Sequence, residues 1–163
     1  MEVNVLPEAD IINRLILHEG FRLKPYYCTA GKQSIGIGRN LDDNPLNAEE
    51  KRVCGDWEHG ITRQAAYYLC RNDIDRCIKQ CRGNIPFFEN LDNERQYALL
   101  DMCFNLGIKR LLGFKKMLAA LGSGNWEQAA KECLDSNYAR QTGERAKRIS
   151  EVFRCGIFKR WVN

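Results

Sequence analysis

The sequence predicts an α+β fold, mainly helical, with a small β-containing lobe near the N-terminus and a helical C-terminal lobe. Three observations carry this. Apolar residues recur at three- and four-residue spacing in the segments that flank residues 22–41. Residues 22–41 break that period with Pro25, Gly31, Gly36 and Gly38, set between short extended pieces. From Thr62 onward helical stretches follow one another, several of them closed by glycine. A chain of 163 residues suits one domain, 1–163, with residues 20–60 as the β-containing lobe and residues 1–19 and 61–163 as the helical lobe. A cleft between two such lobes is the expected place for a ligand.

The elements follow in order. Ala9–His18 reads as a helix because Ile11, Ile12, Leu15 and Ile16 form a stripe, and Gly20 stops it. Arg22 to Leu41 reads as a hairpin or meander. Asp42 to Gly60 is polar and loop-rich, with a short helix at Ala48–Cys54. Thr62 is a suitable N-cap for a long helix to Gln80, ended by Gly83. Helices are then expected at Asp92–Leu106, Phe114–Leu121, Trp126–Asp135 and Gly143–Phe153. No internal repeat or low-complexity tract is visible.

Composition narrows the function classes. No apolar run approaches a membrane span, and Met1–Glu8 lacks the basic start and apolar stretch of a signal peptide. Synthesis in a cytoplasm is therefore expected, with any export by another protein's route. Residues 1–108 carry 13 basic and 16 acidic side chains, whereas residues 109–163 carry 12 and 5. A basic half of this kind suits a polyanionic partner such as nucleic acid, anionic lipid or an acidic wall polymer, or simply a solvated helical surface. Eight cysteines without a signal peptide read as reduced thiols, and Cys70, Cys77 and Cys81 fall on one helical face with Leu69, Ile74 and Ile78. No metal site is expected, since there is no CxxC pair and His18 and His59 are not at ligand spacing.

Glu19 is the acid that stands out. It falls four residues after Leu15 and seven after Ile12, so it continues the apolar stripe into the last helical turn. Burial and the helix dipole both disfavour a carboxylate there, which is how an acid is kept protonated to donate a proton. A glutamate fraying into solvent at a helix end is the plainer alternative.

The segment Glu19-Gly20-Phe21-Arg22-Leu23-Lys24, with Tyr26, Thr29, Gly31 and Ser34-Ile35-Gly36-Ile37-Gly38, resembles the phage-type lysozymes, the T4-like muramidases of glycoside hydrolase family 24. Leu99 to Gly107 is similar to that family's central buried helix, Trp126–Ala130 follows in order, and Gln141–Arg148 resembles its C-terminal "NRAKR" segment. The matches span most of residues 11–156. The IGIG run alone is a weak signal, and the ordered set is a strong one.

The resemblance implies a lysozyme-like fold and hydrolysis of the β-1,4 bond between N-acetylmuramic acid and N-acetylglucosamine in peptidoglycan. The family's site is a glutamate, an aspartate and a threonine. These map onto Glu19 as proton donor, Cys28, and Ser34 as a hydroxyl able to orient a water. Cys28 is the departure. Glycosidases ordinarily pair two carboxylates, about 5–5.5 Å apart for retention and about 6.5–9.5 Å for inversion. A neutral thiol is a poor base, whereas a thiolate is a base or a nucleophile, and Arg22 and Lys24 are the cations close by in sequence. A filler thiol beside a lone Glu19 is the other reading of Cys28. Asp42 and Asp43 are the nearby substitutes for a second carboxylate, though they lie outside the motif.

By the same resemblance Arg145 supports the glutamate, Phe104 contacts sugar, and Asn40 is a weaker substrate contact. Met117 and Glu132 stand where the family has a hydroxyl and an amide. The overall expectation is a monomeric phage or prophage endolysin with no cofactor, metal or nucleic-acid partner. It acts on peptidoglycan glycan strands in the periplasm after a separate holin opens the membrane. Two rivals stay open: a lytic transglycosylase using Glu19 alone, and a non-catalytic peptidoglycan- or membrane-binding module working through a basic Lys147–Arg160 helix.

Overall fold

The computed structural model describes residues 6–160. Met1–Val5, which carry much of the leader reading, and residues 161–163 lie outside the described residues. The chain is mainly helical with one small antiparallel sheet, the α+β class expected. Packing divides it into two compact units, Pro7–Arg76 and, together with Leu6, Cys77 onward.

The first unit begins with α1 (Glu8–Glu19), entered through Pro7, whose fixed φ suits a helix start. Three strands follow, β1 (Arg22–Tyr27), β2 (Gln33–Gly36) and β3 (Arg39–Asn40), in the order β1-β2-β3. The expected meander is therefore present. The β1–β2 register shifts between Arg22 and Tyr26, where Pro25 has no N–H to give a ladder. Helix α2 (Ala48–Cys54) has the expected bounds and is set by a capping box: Asn47 accepts from the Glu50 N–H at 2.8 Å, and Glu50 accepts in return from the Asn47 N–H at 3.2 Å. Ile35, Leu41, Leu46, Cys54, Ile61, Ala65, Ala66 and Leu69 form the core of this unit.

Helix α3 (Arg63–Asn84) is capped by Thr62, which accepts from the Ala65 N–H at 3.1 Å. It runs past Gln80 and through Gly83, the expected stop. An internal glycine costs about 1 kcal/mol, which the buried Cys81 and Ile85 on either side outweigh.

The second unit is helical. It contains α4 (Asn93–Leu106), α5 (Ile108–Leu112), α6 (Lys115–Gly122), α7 (Trp126–Leu134), α8 (Asn137–Thr142) and α9 (Glu144–Cys155). Helix α4 is buried continuously from Arg95 to Cys103 and forms the centre of this unit. Arg95 ties three helices together. Its guanidinium lies 3.9 Å from the Trp126 ring centroid, and it donates to the carbonyls of Phe153 at 2.9 Å and Arg154 at 3.3 Å. Helix α9 stops at Cys155, where Gly156 takes the left-handed conformation, so the basic helix ends short of Arg160.

All eight cysteines are free thiols, and Cys54, Cys70, Cys77, Cys81, Cys103 and Cys133 are buried. Burial pushes the Cys133 thiol up to about 12. It does the same for Cys70, with smaller contributions from Asp73 and Glu19. Such thiols are inert in the folded protein. Alkylation under denaturing conditions without reductant should therefore add eight labels by mass. Pairs of protected cysteines would show instead that the chain matures with disulfides.

Candidate active site

Glu19 is the last residue of α1. Gly20, at φ 78°, turns the chain away while its N–H donates to the Ile16 carbonyl at 2.8 Å. This leaves Glu19 half-buried at the helix C-terminus. Its side chain lies against the β2–β3 turn: a Cβ built on Gly38 would meet Cγ, Cδ and Oε2 of Glu19 at 2.8 Å. Gly38 also holds φ 69°, so a side chain there is opposed both by the backbone and by the acid. The Ser34–Gly38 run thus has a physical role, as the surface on which the carboxyl rests.

Register sets the sheet face. Tyr26 pairs with Ser34, and Ser34 pairs with Asn40, so the three share one face across three strands. Ile35 and Arg39 take the other. Ile35 joins the core, and Arg39, 5% exposed, sits in a buried ionic network. It grips both Glu50 oxygens at 2.7 and 2.9 Å, approaches Asp73 at 3.1 Å and donates to the Asn44 carbonyl at 2.9 Å. Burial opposes the charge on Glu50, but the Arg39 hydrogen bonds outweigh it and hold that carboxyl below its usual range. The network clamps β3 from behind and leaves the front face to Tyr26, Ser34 and Asn40.

Ser34 is 4% exposed, and its hydroxyl makes no hydrogen bond among the described residues. Asn40 is committed to its own loop. Its Oδ1 accepts from the N–H groups of Asp42 and Asp43 at 3.0 Å, and its Nδ2 donates to Asp43 at 3.0 Å. Those aspartates are engaged too: Asp42 accepts from the Gln33 N–H at 3.1 Å, and Asp43 pairs with Lys32 at 2.6 Å. Both are exposed and serve the turn after β3.

Cys28 follows β1 directly, at the base of the β1–β2 hairpin. Its N–H donates to the Lys32 carbonyl at 2.9 Å, and its carbonyl accepts from the Gly31 N–H at 2.8 Å. The thiol is half-buried. Of the cations nominated by sequence proximity, Arg22 stacks 4.5 Å over the Tyr26 ring, and Lys24 is exposed beside Gly60. Lys32, already paired with Asp43, lies within electrostatic range of Cys28. Tyr26, which sequence reasoning passed over as a site residue, senses both candidate catalytic groups. Burial and then Glu19 raise its phenol above the ordinary range, Arg22 opposes this, and Cys28 adds to it.

The remaining site residues lie in the second unit. Arg145, in the first turn of α9, is buried and donates from Nε to Asp101 at 2.8 Å. Asp101 is 0% exposed, and its other oxygen accepts from the Tyr97 hydroxyl at 2.8 Å. An acid inside the apolar run Leu99-Leu100-Asp101-Met102 was the available signal for this anchor. Phe104 is half-buried near the end of α4. Met117 and Glu132 share a pocket of about 310 Å³ with Phe114, Lys116 and Ser136, where Glu132 accepts from Gln128 at 2.8 Å.

The chain is similar to several known proteins. The phage lysozyme family model matches residues 17–153. The chain is 31% identical over 162 residues to "Probable T4-type lysozyme 1" of Dictyostelium discoideum, covering 91% of this chain and 95% of that protein. It is 31% identical over 163 residues to the "Pre-baseplate central spike protein Gp5" of Enterobacteria phage T4, covering 92% of this chain but spanning only 28% of the spike protein's length. It is 28% identical over 131 residues to the "Endolysin" of Acyrthosiphon pisum secondary endosymbiont phage 1, with 78% of this chain and 77% of that one covered.

Proposed function

The chain belongs to the phage lysozyme family, and from that premise we propose that it hydrolyses the β-1,4 bond between N-acetylmuramic acid and N-acetylglucosamine in peptidoglycan. Membership makes it a lysozyme-type peptidoglycan hydrolase. The bond cut, the residues that cut it and the setting are inferred. The observation that carries the reading is the Glu19 carboxyl resting on the β2–β3 turn, in electrostatic reach of a sheet face that bears Tyr26 and Ser34.

In this reading Glu19 gives its proton to the leaving glycosidic oxygen, the usual task of a glycosidase acid. Ser34 orients a water, and Cys28 takes the place of the second carboxylate. Within its own unit Arg145 is held in one orientation by Asp101, and Phe104 is the residue of that unit assigned to sugar. Asn40 serves first as the clasp of its loop, so its contact with substrate is secondary. The basic C-terminal half, residues 109–163, favours a wall polymer carrying anionic groups. We further infer that the protein works as a monomeric endolysin without a cofactor, reaching the periplasm when a separate holin opens the inner membrane.

A second reading has a specific observation behind it. Asp42 and Asp43 are bound into their own turn, so neither replaces the family's aspartate beside Cys28. A lytic transglycosylase needs only one acid/base, and its sugar product closes on itself without water. Digestion of purified sacculi followed by mass spectrometry separates the two. The muramidase yields muropeptides with a reducing end and one added water, whereas anhydro products would move the assignment to the transglycosylase. No release of soluble fragments would leave only a binding module.

A further inference from the structure

The β1–β2 register puts a second hydroxyl-bearing side chain on the same sheet face as Ser34. Tyr26 stands directly opposite Ser34, and directly opposed residues of antiparallel strands project side by side on one face. Neither hydroxyl has a hydrogen-bond partner among the described residues, although Ser34 is almost wholly buried and Tyr26 half-buried. Neither oxygen belongs to the fully buried atoms that lack a partner, so both stay open to solvent, and two such hydroxyls on one sheet face are free to hold a water. The ring has little freedom to turn away, because the Arg22 guanidinium lies over it at 4.5 Å.

Glu19 and Cys28 both reach the phenol through space, yet neither accepts a hydrogen bond from it, which leaves its donor available to a molecule entering between them. Burial and the neighbouring Glu19 keep that phenol protonated, so it acts as a donor and not as a base.

We propose that Tyr26 is a further catalytic residue of this lysozyme: its hydroxyl, together with that of Ser34, holds the water that attacks the anomeric carbon. This rests on the muramidase reading and completes it. The water oxygen forms the new bond to the anomeric carbon as the bond from that carbon to the leaving oxygen breaks. The leaving oxygen takes the Glu19 proton, and the attacking water gives a proton to the Cys28 thiolate. One water is consumed, the two proton transfers balance, and the released anomer is inverted.

A double-mutant cycle tests this. Tyr26→Phe keeps the ring and its contact with Arg22, and Ser34→Ala removes the partner hydroxyl. Each should lower kcat about tenfold, the scale of one neutral hydrogen bond, with KM almost unchanged. The double variant should be little worse than the poorer single one, because a water released by one hydroxyl is no longer held by the other. A structural role would instead lower thermal stability in step with kcat, so the melting temperature of each variant is read beside its kinetics. Full kcat in Tyr26→Phe, multiplying losses in the double variant, or a retained anomer from the wild type would each overturn the proposal. Anhydro products from the wild type would instead overturn the muramidase reading beneath it, so the two failures are distinguishable.

Discussion

Glu19→Gln should lower wall hydrolysis by at least about 10²-fold, the usual scale of one general acid, with the fold intact. The substitution is nearly isosteric, which matters here because the side chain lies against the β2–β3 turn with no room for a larger group. What it removes is an acidic proton, since an amide cannot protonate the leaving oxygen. Turbidity clearing of sacculi at equal protein concentration reads the loss, and circular dichroism reads the fold. A folded variant that retains more than a tenth of the activity would remove Glu19 from the role of proton donor. Circular dichroism separates this loss from a general loss of stability, and the buried Ile11, Ile12 and Leu15 anchor the helix in the core.

Much of this arrangement is legible in the sequence. Periodicity located α1, α4, α6, α7 and α9 to within a few residues, because each has an apolar stripe long enough to repeat. Helices α5 and α8, of five and six residues, are too short to show a stripe and were not expected. The long helix α3 overran its expected stop because burial on both sides of Gly83 overrides a local glycine preference.

At the site, position along a helix makes Glu19 stand out, and the ordered motif nominates it together with Cys28 and Ser34. What could not be read was pairing. That Tyr26 faces Ser34 depends on the register of a sheet with a shift at Pro25. That Asn40 is consumed by its own loop depends on two backbone N–H groups that only the folded turn directs at it. The Arg145–Asp101 pair joins residues 44 positions apart, beyond any local pattern.

Cys28 should decide how the chemistry runs. Substitution there tests reactivity more than stability, because its backbone carries the structural role: the N–H bonds Lys32, and the carbonyl bonds Gly31. Serine and aspartate are both favoured at the first position of such a turn, so neither should disturb the hairpin. Cys28→Ser should lose nearly all activity, since a hydroxyl without an adjacent base is far weaker than a thiolate as acceptor or nucleophile. Cys28→Asp should restore or exceed wild-type turnover by recreating the pair of carboxyl groups that glycosidases ordinarily use. A thiol reagent applied to the folded protein should abolish activity while labelling Cys28 ahead of the buried cysteines, whose thiols burial keeps protonated. The anomer released by the wild type then separates the two uses of the sulfur. Inversion means that Cys28 takes a proton from the water between Tyr26 and Ser34. Retention means that the sulfur itself attacks the sugar, which leaves Tyr26 no water to hold in the first step. A Cys28→Ser variant with full activity would show the thiol to be filler, and a lone Glu19 would then point to the transglycosylase.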